Sequence, residues 1–142
     1  MRKLLVAIDG SDNARRALDY ALALAKEHGR LSLHLITVHP EPVVYGEIQV
    51  YVTKEKMEAL QIAHCQDIMQ PAVRAAEAAG VPFSSEILTG DTAPVIVKRA
   101  DELKCDGIVM GTRGMGVIGS LVMGSVATKV VHLAHVPVTL VK

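Results

Sequence analysis

Aromatic side chains are scarce in this chain, which has no Trp, one Phe and three Tyr. Stacking platforms for single-stranded nucleic acid need exposed rings, so that class of function is disfavoured. An excess of basic charge is also missing. Fifteen Lys and Arg balance fifteen Asp and Glu, and nothing in that balance draws the chain to nucleic acid or to an anionic membrane. Cysteine is limited to Cys65 and Cys105. They are far apart and form no CxxC pair, which reads as two buried, reduced thiols rather than a disulfide. Long apolar runs are absent too. The longest stretch without a charge, Gly114 to Thr128, is rich in glycine and shorter than the roughly 18–20 apolar residues of a membrane helix. Met1-Arg2-Lys3 followed by Leu4 to Ile8 imitates a signal peptide only superficially, because the apolar run before Asp9 is too short. The expectation is a soluble, cytoplasmic protein.

What is present is aliphatic. Half of the 142 residues are apolar, enough for the core of one domain spanning 1–142. Leu4 to Ile8 is a continuous apolar run stopped by Asp9-Gly10-Ser11, which predicts a strand buried on both faces. Ala14, Ala17, Leu18, Ala21, Leu22 and Ala25 follow at helical spacing, with Ser11 or Asp12 as N-cap and Gly29 as C-cap. Leu31 to Val38 predicts a second strand, broken by the prolines at 40 and 42, which open a loop to about Thr53. A long helix is expected over 54–79, closed by Gly80, with a kink or division at Pro71. Strands are expected over 82–88, 106–111 and 136–141, and helices over 92–104 and 124–134. Pro94 falls in the first turn of the former, where it is tolerated. Strands alternating with helices imply a doubly wound α/β domain, an open sheet of mainly parallel strands covered on both faces. Ligands of such sheets bind beyond the carboxyl ends of the strands. Those ends here are Asp9-Gly10, Val38-His39 and Gly111 onward, where the polar and glycine-rich residues gather.

The segment from Gly111 to Ser125 carries five glycines. That many are entropically costly unless the backbone turns sharply or approaches something closely. Its N–H groups, backed by a helix N-terminus, suit an anion; a plain flexible connection is the structural alternative. Gly114-x-Gly116-x-x-Gly119 formally matches a dinucleotide fingerprint, but it follows the fourth strand, and no Asp or Glu occurs after Asp106. Gly119-x-x-x-x-Gly124-Ser125 imitates a P-loop without its lysine, and Lys129 lies about a helical turn too late.

A third register fits. Gly111-x-x-Gly114, nine residues, then Gly124-Ser125 resembles the signature of the ATP-binding branch of the universal stress protein family. Val6-Ala7-Ile8-Asp9-Gly10-Ser11 and Val136-Pro137-Val138 also look like that family, and the resemblance extends over the whole chain. It implies a five-stranded sheet in the order 3-2-1-4-5. It also implies that Ala7 and Asp9 line a nucleoside pocket and that the Val38 backbone meets the adenine edge. Gly111, Arg113, Gly114, Gly124 and Ser125 would surround the phosphates, with Val126 adding a backbone N–H. ATP carries about four negative charges against one cation in the loop, so Mg²⁺ or Mn²⁺ is expected with it. Homodimerisation through the C-terminal strand is a further implication, and an apolar edge at 136–141 agrees with it.

Simpler roles stand beside these. Ser125 is a candidate N-cap of the last helix, Asp9 a turn residue, and Arg113 a solvated loop residue. His132 and His135 read as favourable charges at a helix C-terminus rather than metal ligands, and His64-Cys65 has no evident catalytic partner. The sequence shows a cradle without an obvious general base or Walker-type aspartate. It therefore reads as an ATP-binding regulatory protein with at most slow hydrolysis. The alternative is a dimeric interaction module with a structural glycine loop. Adenylation of a substrate is disfavoured, because Asp9-Gly10-Ser11-Asp12-Asn13 stands where such enzymes carry Ser-Gly-Gly-x-Asp-Ser.

Overall fold

A computed structural model describes residues 2–41, 53–113 and 123–142. The elements are β1 (Lys3–Ala7), α1 (Asp12–Glu27), β2 (Ser32–His39), α2 (Lys54–Ala79), β3 (Phe83–Thr89), α3 (Thr92–Glu102), β4 (Gly107–Gly111), α4 (Ser125–Leu133) and β5 (Val138–Val141). All pairings are parallel, and the sheet order is β3-β2-β1-β4-β5. Chain order reverses beside β1, whose neighbours are β2 and β4. The fold is the α/β arrangement expected from the sequence.

β1 needs no polar alternation because neither of its faces meets water. Leu4 and Val6 pack with Leu33, Leu35 and Leu18 in the layer beneath α1 and α2. Leu5 packs on the other side with Ile36, Ile96 and Ile108, beneath α3 and α4. Ser11 caps α1, its hydroxyl accepting the Ala14 N–H at 3.1 Å. Gly80, at φ +68, ends α2 in the left-handed conformation.

Three local expectations change. α1 ends at His28 rather than at Gly29. Gly124, not Ser125, is the N-cap of α4, and Ser125 is its first helical residue. α2 is not divided at Pro71 but runs through it as one helix. A lost backbone donor is compatible with that continuity because the turns on either side are fixed by burial, Cys65 and Met69 before the proline and Ala72 and Ala76 after it. Both cysteines are free and buried, and burial pushes each thiol up from its ordinary pKa. No described helix is long and apolar enough to cross a membrane.

Candidate functional site

The carboxyl ends of β1, β2 and β4 open into a cavity of about 250 Å³ on the α3/α4 side of the sheet. Period-two geometry explains which side chains reach it. Ala7 follows Leu5 onto this face, and Val38 follows Ile36. Asp9, Gly111, Arg113, Gly124, Ser125 and Val126 complete the set, so eight of the nine sequence-nominated residues line one cavity. Gly114, the ninth, lies outside the described residues, as do the loop residues 42–52.

The turn after β1 is held by its own polar groups. Asp9 Oδ1 accepts the Ser11 backbone N–H at 2.9 Å and the Ser11 hydroxyl at 2.5 Å. Gly10 completes the reversal at φ +82, a conformation that glycine adopts without steric penalty. Asp9 is therefore the turn residue that one sequence reading proposed. It also remains the one carboxylate among the described residues lining the cavity.

Gly111 is small for a different reason. A Cβ there would lie 2.7 Å from Asn13 Cβ and 2.9 Å from the Asn13 carbonyl carbon. The end of β4 is thus pressed against the first turn of α1, and the Asn13 side-chain amide donates to Thr112 Oγ1 at 3.2 Å. Beyond this contact, Gly124 N–H donates to the Thr112 carbonyl at 2.7 Å. That bond brings the start of α4 back to the end of β4, where Gly111 and Arg113 stand.

The electrostatic character comes from helix ends. Ser11 caps α1 and Thr53 caps α2, but among the described residues α3 and α4 have no side-chain N-cap bond. Both uncapped helices start at the cavity, α3 with Thr92 and α4 with Ser125, Val126 and Ala127. The first N–H groups of a helix have no intrahelical acceptor, and the aligned peptide dipoles give that end a partial positive charge. Two such ends therefore face a cavity that has Arg113 in its lining and, among the described residues, a single carboxylate. The arrangement suits an anion attached to a moderately apolar body, which Ala7, Ile36, Val38, Ile96 and Met110 would contact.

Sequence reasoning missed two groups. Ile36, Ile96 and Met110 on the apolar wall were recoverable from strand and helix periodicity. His39 was not, because its role depends on contacts distant in sequence. It is buried, with Nδ1 at 3.1 Å from both the Pro40 carbonyl and Gln61 Oε1, and Nε2 at 3.0 Å from the Thr89 hydroxyl. Two acceptors at Nδ1 place the proton there, so Nε2 accepts from Thr89. The ring ties the end of β2, next to Val38, to β3 and α2. His135 lies beyond the end of α4, with Nδ1 3.1 Å from Asp101 Oδ2, a pairing that its proposed helix-end role did not include.

The sequence profile of the Universal stress protein family matches residues 1–142. A universal stress protein of Thermus aquaticus is 37% identical over 143 residues, covering 99% of this chain and 98% of that protein. The solved structure of universal stress protein UspA from Lactobacillus plantarum superposes with a TM-score of 0.85 at 22% identity, over 99% of this chain and 97% of that one. That likeness shows the fold. A universal stress protein from Archaeoglobus fulgidus, solved in complex with dAMP, superposes with a TM-score of 0.67 at 25% identity, covering 100% of this chain and 98% of that one. With the profile spanning every residue and the relative aligned nearly end to end, the chain belongs to the universal stress protein family.

Proposed function

We propose that this protein is an ATP-binding regulatory protein that holds its nucleotide in the cavity at the ends of β1, β2 and β4. The observation carrying this reading is the coincidence, at that cavity, of the uncapped start of α4 with Gly111, Arg113 and the apolar wall. Ligand pockets commonly span about 300–1,000 Å³, and the 250 Å³ here matches a nucleoside better than a whole triphosphate. Ala7 and Asp9 would take the nucleoside and the Val38 backbone the adenine edge. The phosphates would extend along Gly111, Arg113, Gly114, Gly124, Ser125 and the Val126 N–H. Mg²⁺ or Mn²⁺ would offset the charge that a single guanidinium leaves. The dAMP complex of the family member from Archaeoglobus fulgidus supports an adenine nucleotide as the ligand class.

Turnover would be slow at most. Asp9, the carboxylate at the cavity, already accepts two hydrogen bonds from Ser11 through Oδ1, which commits that oxygen to the turn rather than to a substrate proton. Among the described residues β5 is bonded to β4 on one side only, and its half-buried apolar edge would pair with a second copy to form a homodimer. Titration with ATP, with and without Mg²⁺, and mass spectrometry for co-purified nucleotide test the binding. Absence of saturable binding at millimolar ATP would end this reading in favour of an interaction module. A monomeric mass by light scattering at micromolar concentration would end the dimer.

A further inference from the structure

The larger opening at this end of the molecule is on the opposite face of the sheet. Between α1 and α2 lies a cavity of about 500 Å³, and Ile8 and Ala14 form part of its wall as well as part of the nucleotide cavity's. Its floor is apolar and largely buried, made by Ile8, Leu18 and Ala72, with half-buried Ile68 and Ala75 above them. A second depression of about 400 Å³ continues from it along the helix pair, sharing Asp19 and Ala75 and reaching Lys26. Together they form a groove that follows α1 from Asp12 to Lys26, roughly 20 Å at about 1.5 Å per residue.

The mouth of the groove has a definite charge. Asp12, Asp19 and Asp67 stand there with Arg15 and His64, so carboxylates exceed guanidinium by two. None of the three carboxylates makes a side-chain hydrogen bond or ion pair among the described residues. An elongated apolar floor under a net-negative mouth complements one kind of small molecule, an apolar chain ending in a cation. An anionic amphiphile would meet repulsion at the same place, and a compact polar solute would leave the floor wet.

We infer that the α1/α2 groove is a second ligand site, for an organic cation with an extended apolar chain, its head held among Asp12, Asp19 and Asp67. The site shares a wall with the nucleotide cavity but does not depend on nucleotide binding. The test uses the nucleotide-free full chain and n-decylammonium as probe, with decanoate as the charge-inverted control, followed by calorimetry and by backbone amide shifts. Saturable one-to-one binding below about 1 mM is expected, with decanoate weaker by about tenfold or more. Shifts should centre on Ile8, Ile68 and Ala72. Asp19→Asn with Asp67→Asn, both on exposed positions, should narrow the preference for the cation to about threefold or less. Ala75→Trp, which fills the groove from a half-buried position, should abolish binding.

No saturable binding of decylammonium, equal binding of decanoate, or unchanged affinity in Ala75→Trp would each overturn the inference. A change in molecular mass caused by Ala75→Trp would also overturn it, by showing that a second copy of the chain occupies the groove. If Ala75→Trp fails to fold, the charge preference in the Asp19→Asn/Asp67→Asn variant decides alone. ATP titration of the same samples reads the nucleotide site separately, so failure at one site is not mistaken for failure at the other.

Discussion

Both ends of the sheet hold paired polar side chains, but among the described residues only the carboxyl end adds two helix starts without side-chain caps. In the amino-terminal half the paired groups serve the fold alone. Asp106 Oδ2 accepts the backbone N–H groups of Arg2 and Lys3 at 2.7 and 3.0 Å. His34 bridges Ser84 Oγ at 2.6 Å and Glu86 Oε1 at 2.8 Å, and Arg99 closes on Glu86 and Glu102. At the carboxyl ends, two helices start without side-chain caps beside a cavity. Saturated groups contribute stability and have little capacity left for a ligand, whereas open donors are available to one. Binding is therefore expected to respond to changes at one end and stability to changes at the other.

The largest separation of the two is expected from Ser125→Asp. The residue is exposed and opens α4, a position where a carboxylate is favoured by the helix end. Stability should be unchanged or a few tenths of a kcal/mol higher, while a carboxylate among the proposed phosphate donors weakens ATP by about 100-fold or more. Parallel thermal melts and ATP titrations read both quantities, and equal affinity would remove the phosphates from this end. Gly111→Ala is expected to affect both properties. Its methyl would collide with Asn13 backbone, destabilising the fold by about 1–3 kcal/mol and weakening ATP as the β4–α1 contact opens. Denaturant unfolding measures the first effect.

A smaller change in the reverse sense is expected from Glu86→Gln. Removing the carboxylate shared by Arg99 and His34 should lower stability by about 1 kcal/mol and leave ATP affinity within about twofold, since no side chain of the cavity is involved. A large loss of affinity would show that the two ends are coupled. The smallest effect is in the pH dependence. Burial pushes the Glu86 carboxyl up, but the hydrogen bonds and charges of Arg99 and His34 outweigh it, and the net pKa is lowered from 4.5. The backbone N–H groups of Arg2 and Lys3 likewise lower that of Asp106 from 3.8. A lowered folded pKa stabilises the native state above the unfolded value, and that stability is lost as pH falls through the folded value. Unfolding free energy should therefore decline below about pH 4.5, less steeply in Glu86→Gln than in the parent chain.

Much of the candidate site was legible because its constraints are local. A glycine-rich stretch between a strand and a helix, a run of apolar residues ended by Asp-Gly-Ser, and a Gly-Ser pair opening a helix each leave a mark on a few consecutive residues. Strand bounds shifted by a residue or two, as at β5, expected from Val136 and found from Val138, because apolar residues extend past the last ladder hydrogen bond. The cap of α4 moved to Gly124 because capping depends on backbone angles that residue type only biases. His39 was invisible for a deeper reason. Its partners Gln61 and Thr89 lie 22 and 50 residues away, and sequence periodicity carries no information about such pairs.

By itself the sequence determined the alternation of strands and helices, the apolar faces, and the gathering of polar and glycine residues at three strand ends. Period and local steric freedom suffice for these, since each is decided within a few residues. Only the tertiary structure decided that eight of the nominated residues share one cavity, that Asp9 holds a turn, and that α2 passes unbroken through Pro71. It alone revealed the groove between α1 and α2, because a cavity is the space left by two helices packing on one sheet, and neither helix encodes it alone.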